Sequence, residues 1–462
     1  MSVPAPPQSN DAHAKALAIN LESSTYGTFA EIGAGQEVAR WFLSVGAASG
    51  TVAQAISAYD KTVSDDLYGA GTRYVSKDRL LTMLDREYRI LFDRLDKERG
   101  VNTRFFVFAD TVATRNYQGT NEQHGWLGLR FQSEAKSQPS EILLHIHLKD
   151  PTAQLQQQAV GTLGVNLIYA SYHQRSSPEE FLASLLEDLS LERLEIDVLE
   201  LTGPVFDGVD SRLWCLHMLR SGLSHAFVFD SKAQLVEPAT PLHKRPILVH
   251  STLYGDARVS TEIPFQAARQ QLLAEGKPFD HEPVAVLAFS KRNLEDSSSD
   301  NAALLSRIQQ LTPLGTLVFT DYTEGYQILD YFRQYTSAPV RVILWISDLL
   351  QLIKERVYES MPGAALERLG RLLFTDVTIY VAPMRKEAFV TALGVLPQGI
   401  VNPAASSDFI TLNDFFPKSP TDHLFHYLRA TGRVVPLQDD KFTAAKDGTM
   451  GSVRNEGSIA KQ

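Results

Sequence analysis

Residues 284–289 read VAVLAF, an unbroken apolar run. A second run, TLVF, follows at residues 316–319. Short continuous apolar runs are typical of strands that are buried on both faces of a parallel sheet. The segment between them predicts a helix, because apolar residues recur there at helical spacing, at Leu304, Leu305, Ile308 and Leu311. Strand, helix and strand in this order predict a right-handed βαβ crossover.

The pattern continues on the carboxyl side of this unit. Residues 324–335 predict a helix, and residues 341–346 and 376–381 predict two further strands. The sequence therefore predicts a C-terminal domain over residues 282–436 with an open, mostly parallel, Rossmann-like sheet.

On the amino side, strand and helix signals alternate less regularly. We predict an N-terminal mixed α/β sheet domain over residues 25–276, so that the whole chain is an α/β protein of two domains. Strands are expected at residues 28–32, 104–108 and 141–148, among others. Residues 1–24 and 437–462 are polar and lack periodicity, and we predict that both ends are disordered.

Composition excludes several classes of protein. The 462 residues carry a net charge of -10 and contain one cysteine, Cys215, which suits a small buried apolar residue and rules out an intrachain disulfide. Cations are dispersed, so no nucleic-acid partner is expected. We find neither a signal peptide nor a long apolar segment, so we expect a cytoplasmic protein without a membrane partner. The oligomeric state is not indicated.

The first candidate site is the segment EIGAG, residues 31–35. It follows a predicted strand and opens a predicted helix, and glycines let a backbone approach a ligand near free N–H groups. We therefore assign Gly33 and Gly35 to ligand or phosphate binding, with a structural tight turn as the alternative. The segment resembles the first motif of the S-adenosylmethionine-dependent methyltransferases, in which a later acidic residue binds the ribose. Asp60 is the nearest such residue.

The second candidate site is the polar segment from Asp110 to Trp126, which follows the strand at 104–108. Loops at strand ends often carry sites in open α/β sheets. We assign acid and base chemistry to Asp110, Glu122 and His124, and ligand or phosphate binding to Arg115, Asn121 and Arg130. We predict that Asp110, Arg115, Glu122 and His124 converge on one concave surface. A structural turn is the alternative.

Two histidines, His145 and His147, alternate in a predicted strand and so share one face. Two interpretations stay open. They are half-buried packing residues, or they are part of a metal site whose third ligand comes from Asp110 or His124. We favour packing and therefore assign no metal ligand, and the sequence identifies no cofactor.

The third candidate site lies in the C-terminal domain, in the segment TDYTEGY at residues 320–326. Thr320 and Thr323 follow a buried strand and precede a helix, so that either can cap the helix or help its N–H groups to bind an anion.

Three stretches resemble an uncharacterised bacterial protein family, and they lie within residues 29–95, 104–131 and 316–383. Members carry automatic labels such as nicotinamide mononucleotide adenylyltransferase or TonB-dependent receptor. The first label requires an H-x-G-H or T-x-G-H motif and an I-S-S-T-x-x-R motif, and the second requires a signal peptide and a transmembrane barrel. None of these is found, so the resemblance transfers no catalytic residue and only favours nucleotide chemistry.

Two functions are therefore open. The first is an enzyme that acts on a nucleotide or another phosphorylated small metabolite, with nucleotidyl transfer as one option. The second is a non-catalytic scaffold or ligand-sensing protein in which the same loops bind a partner or effector.

Overall fold

The computed structural model describes residues 11–71, 73–175, 177–251, 262–291, 301–353, 364–373, 375–393, 399–402, 407–419 and 421–438. The chain divides into two compact units, Met1–Phe227 and Val228–Gln462. Each unit contains helices and a mixed or parallel sheet, which confirms the predicted α/β class.

The first unit contains a six-stranded sheet in the order β2-β1-β3-β4-β5-β6. The pairs β1–β2 and β1–β3 are parallel, and the remaining three pairs are antiparallel. The strands are β1 (Thr25–Gly33), β2 (Val52–Ala58), β3 (Arg104–Ala113), β4 (His124–Phe131), β5 (Ser140–Leu148) and β6 (Leu194–Thr202).

Helices cover both faces of this sheet. The helices of the unit are α1 (Ala12–Asn20), α2 (Glu37–Ser44), α3 (Lys61–Tyr68), α4 (Lys77–Arg99), α5 (Ala153–His173), α6 (Pro178–Leu185) and α7 (Ser211–Arg220). Helix α5 approaches one face closely, because a side chain at Gly164 would meet Val38 of α2 and Phe108 of β3. Helix α4 packs on the opposite face, where a side chain at Gly128 would meet Leu80 and Leu84.

Helix α1 corrects the prediction that residues 1–24 are disordered. Asp11 caps it by accepting a hydrogen bond from the Ala14 N–H group at 2.8 Å. Ala12, Ala16 and Ile19 are buried, so the helix packs against the rest of the first unit through these apolar side chains. The polar composition of residues 1–24 favoured disorder, but a nine-residue helix needs only a few apolar side chains to pack on its neighbours. Residues 1–10 and those from 439 onward lie outside the described residues.

The second unit contains a seven-stranded sheet in the order β15-β12-β11-β8-β9-β10-β7. Its strands are β7 (Ala226–Phe229), β8 (Ile247–Ser251), β9 (Val284–Ser290), β10 (Thr316–Thr320), β11 (Val340–Trp345), β12 (Val377–Ala382) and β15 (Val434–Pro436). The five pairings from β15 to β10 are parallel, as the apolar runs predict. Strands β13 (Met384–Arg385) and β14 (Phe409–Ile410) form a separate antiparallel pair.

The division between the units lies earlier than the predicted boundary near Glu282. Strand β8, which the sequence analysis places in the first domain, lies between β9 and β11 in the second sheet. The apolar run of β8 predicts a buried strand but does not specify its partner, so the boundary was misplaced. The Ser297 to Ser299 loop lies outside the described residues.

The described helices of the second unit complete the layers on its sheet. They are α8 (Ala239–Leu242), α9 (Glu262–Ala274), α10 (Asn301–Leu311), α11 (Gly325–Arg333), α12 (Ile346–Ile353), α13 (Ala364–Leu372), α14 (Lys386–Leu393) and α15 (Thr421–Ala430). Among the described residues, no helix combines the length and apolar character that crossing a bilayer requires.

Candidate functional site

The first sheet has a topological switch point between β1 and β3. From β1 the chain passes through α2 to β2 on one side, and it then returns through α3 and α4 to β3 on the other side. Connections that leave in opposite directions open a crevice at the carboxyl ends of the two strands, which is where open α/β sheets usually bind ligands.

The residues Gly33, Ala34 and Gly35, which we call the glycine turn, lie at this crevice. Gly33 has φ +79°, a backbone conformation that favours glycine, and the Ala34 N–H group donates to the Val112 carbonyl at 3.1 Å. A Cβ atom at Gly35 would lie 2.2–2.5 Å from the carboxyl group of Asp110. Only glycine therefore fits at position 35 while Asp110 keeps its place.

Glu31 and Asp110, which we call the carboxyl pair, are partners in the β1–β3 register. Glu31 accepts hydrogen bonds from the Val38 and Ala39 N–H groups of α2 at 3.0 and 3.1 Å. Asp110 is fully buried, and neither of its carboxylate oxygens makes a hydrogen bond of good geometry, although the Ile32 N–H group is near enough to favour its charged form. Such an unsatisfied buried group is rare in folded proteins.

Burial and mutual repulsion control how the carboxyl pair ionises. Burial raises the pKa of Glu31 to about 7, although the Ala39 and Val38 N–H groups favour its charged form. Burial also raises the pKa of Asp110 well above its ordinary range, and the Glu31 charge adds to the shift. Two neighbouring buried carboxyls do not both ionise easily, so near neutral pH the pair holds a proton.

This geometry changes what the glycine turn offers a ligand. The Val38 and Ala39 N–H groups at the start of α2 already donate to Glu31, and Glu37 adds another negative charge. The turn thus presents carboxyl groups, which suit hydroxyl or amino donors better than phosphate. Phosphate binding at Gly33 and Gly35 stays a prediction that these charges oppose.

A second polar group, the histidine cluster, consists of His124, His145, His147 and Asp197. His124 pairs with His147 in the β4–β5 register. Strand alternation places these side chains on the face covered by α4, whereas the carboxyl pair lies on the face covered by α2 and α5. Asp110 and His124 consequently lie on opposite faces of the sheet, and the predicted convergence of these two residues does not occur.

Short contacts connect the members of the histidine cluster. His145 Nδ1 lies 2.5 Å from Asp197 Oδ1, and His145 Nε2 lies 3.0 Å from His124 Nδ1. Since a carboxylate oxygen only accepts, a neutral His145 donates through Nδ1 and accepts from His124 through Nε2. On the other side of the carboxylate, His147 Nε2 lies 2.8 Å from Asp197 Oδ2.

A β-bulge brings Asp197 into this cluster. His145 pairs with Val198, but the next residue, Ile146, pairs with Ile196, so Asp197 is the extra residue of β6. A bulge of this kind places two residues opposite one and redirects a side chain. Asp197 was not among the predicted site residues, although an aspartate inside a predicted strand was a usable signal.

Electrostatics within the cluster follows from burial and from the neighbouring charges. Burial lowers the pKa of His124 to about 3, and His145 and His147 lower it further. Burial alone would raise the pKa of Asp197, but His145 and His147 hold it below its ordinary value. The carboxylate is therefore charged and His124 is neutral at neutral pH.

The remaining predicted residues near Asp110 have other surroundings. The Glu122 carboxylate lies 3.7 Å from the Arg73 guanidinium. Asn121 holds its own loop by donating to the Thr114 and Glu122 carbonyls. Arg115 is exposed in the loop after β3 and makes no ion pair with the described residues.

Arg130 lies on β4 and makes ion pairs with Asp85 at 2.5 Å and Glu141 at 2.6 Å. These contacts connect β4 to α4 and to β5. Its guanidinium is thus already paired with carboxylates, which compete with a phosphate for the same N–H donors.

Thr320 and Thr323 lie in the second unit at the end of β10. Thr320 is fully buried, and its hydroxyl donates to the Phe289 carbonyl at 3.5 Å. Neither threonine caps α11, because the N-cap residue is Glu324. Gln327 instead accepts hydrogen bonds from the Thr323 and Glu324 N–H groups. Anion binding by the two threonines stays a prediction.

Comparison with known proteins assigns no family. No family model matches the chain, and no curated protein matches it. Among solved structures, competence/damage inducible protein CihA from Agrobacterium tumefaciens is 16% identical with a TM-score of 0.26, and it covers 37% of this chain and 98% of its own. A competence-damaged protein (CinA) superfamily protein from Enterobacter cloacae is 12% identical with a TM-score of 0.26 and the same coverage of both chains.

A third structure, a CinA superfamily protein from Escherichia coli, is 14% identical with a TM-score of 0.25, and it covers 41% of this chain and 96% of its own. Likenesses this weak do not indicate a shared function. The resemblance to the uncharacterised bacterial family therefore stays a prediction.

Proposed function

We propose that the protein is an enzyme that acts on a nucleoside-containing metabolite such as a nucleotide, with its active site at the carboxyl ends of β1 and β3. The observation that carries this proposal is the Asp110 carboxyl group, which is buried beside Glu31 at the topological switch point and makes no hydrogen bond of good geometry. An unsatisfied buried polar group costs roughly 1–3 kcal/mol or more. Buried polar groups that lack good hydrogen bonds, and carboxyl groups with strongly raised pKa values, are more frequent at functional sites than elsewhere.

The carboxyl pair supplies acid and base chemistry in this proposal. With one proton shared between Glu31 and Asp110, one carboxyl donates and the other accepts near neutral pH. The hydroxyls of a ribose both donate and accept, so a nucleoside complements the pair. Gly35 leaves the room that the Asp110 carboxyl group itself occupies, so the glycine lets this carboxyl lie against the turn.

The phosphate of such a ligand needs a cation. Arg115 follows β3 at the same edge of the sheet, and its guanidinium lies over Gly119 without an ion pair to the described residues. Arginine binds phosphate through two parallel N–H donors. We assign Arg115 to the phosphate and the carboxyl pair to the ribose.

Melting the full chain with adenosine, AMP, ATP and S-adenosylmethionine tests this assignment. A ligand at ~100 times its dissociation constant adds ~2.7 kcal/mol to the free energy of unfolding. We expect AMP or ATP to raise the melting midpoint and Asp110→Asn to abolish the rise. Arg115→Ala should weaken AMP and ATP binding but not adenosine binding.

Two results would count against the assignment. The first is no shift with any of the four ligands, and the second is an unchanged shift in Asp110→Asn. Binding without turnover, measured by mass spectrometry of the incubated ligand, would instead support the ligand-sensing alternative.

A further inference from the structure

We propose that the second unit has a ligand site of its own at the carboxyl ends of β8 and β11, anchored by His250, and that it binds an uncharged, hydroxyl-rich ligand of the sugar or nucleoside class. The site shares no residue with the carboxyl pair of the first unit. This proposal is therefore independent of the function proposed above.

The strand order of the second sheet reverses at this place. From β8 the chain passes through α9 to β9 and through α10 to β10 on one side, and it then returns through α11 to β11 on the other side of β8. Open α/β sheets usually bind ligands in the crevice at the carboxyl ends of the two strands where the order reverses. A ligand of this unit is therefore expected between β8 and β11.

Strands β8 and β11 separate before either of them ends. Their ladder consists of three pairs, of which Val249 with Val342 is the last, although β8 continues to Ser251 and β11 continues to Trp345. On its other side, β8 stays paired with β9 as far as Ser251. His250 is the first residue of β8 beyond the ladder, so it lies where the crevice begins.

The His250 imidazole is buried, and one of its nitrogens is unused. The residue is 2% exposed, and Nδ1 lies 3.1 Å from the Ile343 carbonyl oxygen, which only accepts hydrogen bonds. Nδ1 therefore carries a proton. Burial lowers the pKa of His250, although the hydrogen bond to Ile343 opposes the shift, so the ring is neutral at neutral pH. Nε2 then has a free lone pair and no hydrogen-bond partner among the described residues.

The state of Nε2 determines what kind of group can bind to it. Buried polar atoms without a partner are rare in folded proteins. An unprotonated imidazole nitrogen accepts a hydrogen bond, so its missing partner is an O–H or N–H group rather than the oxygen of a phosphate or carboxylate anion. A metal ion is not expected, because no group of potential metal ligands among the described residues includes His250.

Asp348, on the β11 side of the crevice, favours the same chemistry. It lies in the first turn of α12, is 6% exposed, and accepts a hydrogen bond from the Trp345 N–H group at 3.1 Å. A carboxylate at a helix N-terminus occupies the place that an anion would take, yet its oxygens can accept further donors. Acceptors on both sides of the crevice suit a ligand with several hydroxyl groups, such as a sugar or the ribose of a nucleoside.

Nitrogen NMR of the full chain with isotope-labelled histidine tests the site without a substitution in the protein under test. We expect His250 to be the tautomer with its proton on Nδ1. We expect adenosine, ribose or glucose at millimolar concentration to shift the Nε2 resonance, because this nitrogen becomes more shielded when it accepts a hydrogen bond. A shift with adenosine alone would identify the nucleoside class, and a shift with ribose or glucose would identify the sugar class.

His250→Asn identifies the resonance and removes the acceptor. The asparagine amide nitrogen can take the place of Nδ1 and donate to Ile343, but nothing replaces Nε2. Calorimetry should show about 10-fold weaker binding of whichever of the three compounds shifts the resonance. His423→Asn, which replaces an exposed histidine of the same unit, should leave binding unchanged. Asp110→Asn, which alters the site of the first unit, should leave the Nε2 shift unchanged.

Three results would overturn the proposal. The first is an Nε2 resonance that none of the three compounds moves at millimolar concentration. The second is a His250 proton on Nε2 instead of Nδ1. The third is undiminished binding in His250→Asn that circular dichroism shows to be folded.

Discussion

Glu31 and Asp110 are partners in register on the parallel strands β1 and β3, and both side chains are buried on the same face of the sheet. Parallel pairing puts two carboxyls at one level, where each disfavours the ionisation of the other. The N–H groups of α2 partly compensate Glu31 but not Asp110. This unequal support makes Asp110 the residue whose replacement is most informative.

Stability should fall as pH rises, because the carboxyl pair holds its proton in the folded chain. The pKa of Glu31 rises from an ordinary 4.5 to about 7 on folding. Its stabilising contribution is complete below about 4.5 and is lost as pH rises through about 7, which corresponds to roughly 1–3 kcal/mol. Asp110→Asn removes the repulsion, so it should flatten this profile and raise the melting midpoint at pH 8 by about 2–5 °C.

Thermal unfolding from pH 4 to pH 9 measures this effect. Asp66→Asn, an exposed aspartate of α3, is the control and should reproduce the wild-type profile. Equal pH slopes for Asp110→Asn and the wild-type chain would contradict the proton-sharing account.

Gly35→Ala should destabilise the chain by about 1–3 kcal/mol, because its Cβ atom would lie 2.2–2.5 Å from the Asp110 carboxyl group. Adding Asp110→Ala makes room, so the two effects should not add in a double-mutant cycle monitored by urea unfolding. Gly370→Ala is the control, since a Cβ atom there meets nothing within 4 Å. Strict additivity would show that Asp110 is not the obstacle.

Lys15→Met should cost roughly 1–3 kcal/mol, because the Lys15 ammonium connects α1 to the rest of the first unit. It donates to Asn166 at 2.8 Å and pairs with Glu187 at 2.8 Å, and the side chain is 2% exposed. Urea unfolding measures the loss, with the exposed His13→Ala as control. If Lys15→Met is as stable as His13→Ala, then α1 contributes little to the fold.

Cys215 should not react with a thiol reagent in the native chain. The residue is fully buried, its thiol lies 3.6 Å from the Leu199 carbonyl, and burial raises the pKa of the thiol well above its ordinary range. Labelling with a chromogenic disulfide should give no modified thiol in buffer and one per chain in denaturant. Rapid labelling without denaturant would show that α7 opens readily.

The parallel sheet of the second unit was predictable, because the segments that begin at Val284 and Thr316 are apolar without interruption. The partner of β8 was not, since an apolar run specifies burial rather than the neighbouring strand. For the same reason the domain boundary near Glu282 was placed too late.

The sequence identified residues that belong to the candidate sites, but not which of those residues contact one another. The sequence indicates that Asp110 and the glycine turn each follow a strand, but it does not reveal that Asp110 contacts Gly35, which depends on the pairing of β1 with β3. His145 and His147 were expected on one face from alternation. Asp197 was not predicted to join them. In a regular strand it would point to the same face as Leu199, away from the two histidines, and only the bulge in β6 turns its side chain towards them.

The bulge in β6 makes the histidine cluster depend on the length of a strand as well as on its residue types. A one-residue deletion that restored an uninterrupted ladder between β5 and β6 would put Asp197 opposite Ile146, out of phase with both histidines, even if all four residues of the cluster were retained. A deletion in β6 can thus break the contacts of Asp197 with His145 and His147 without changing any of the three residues.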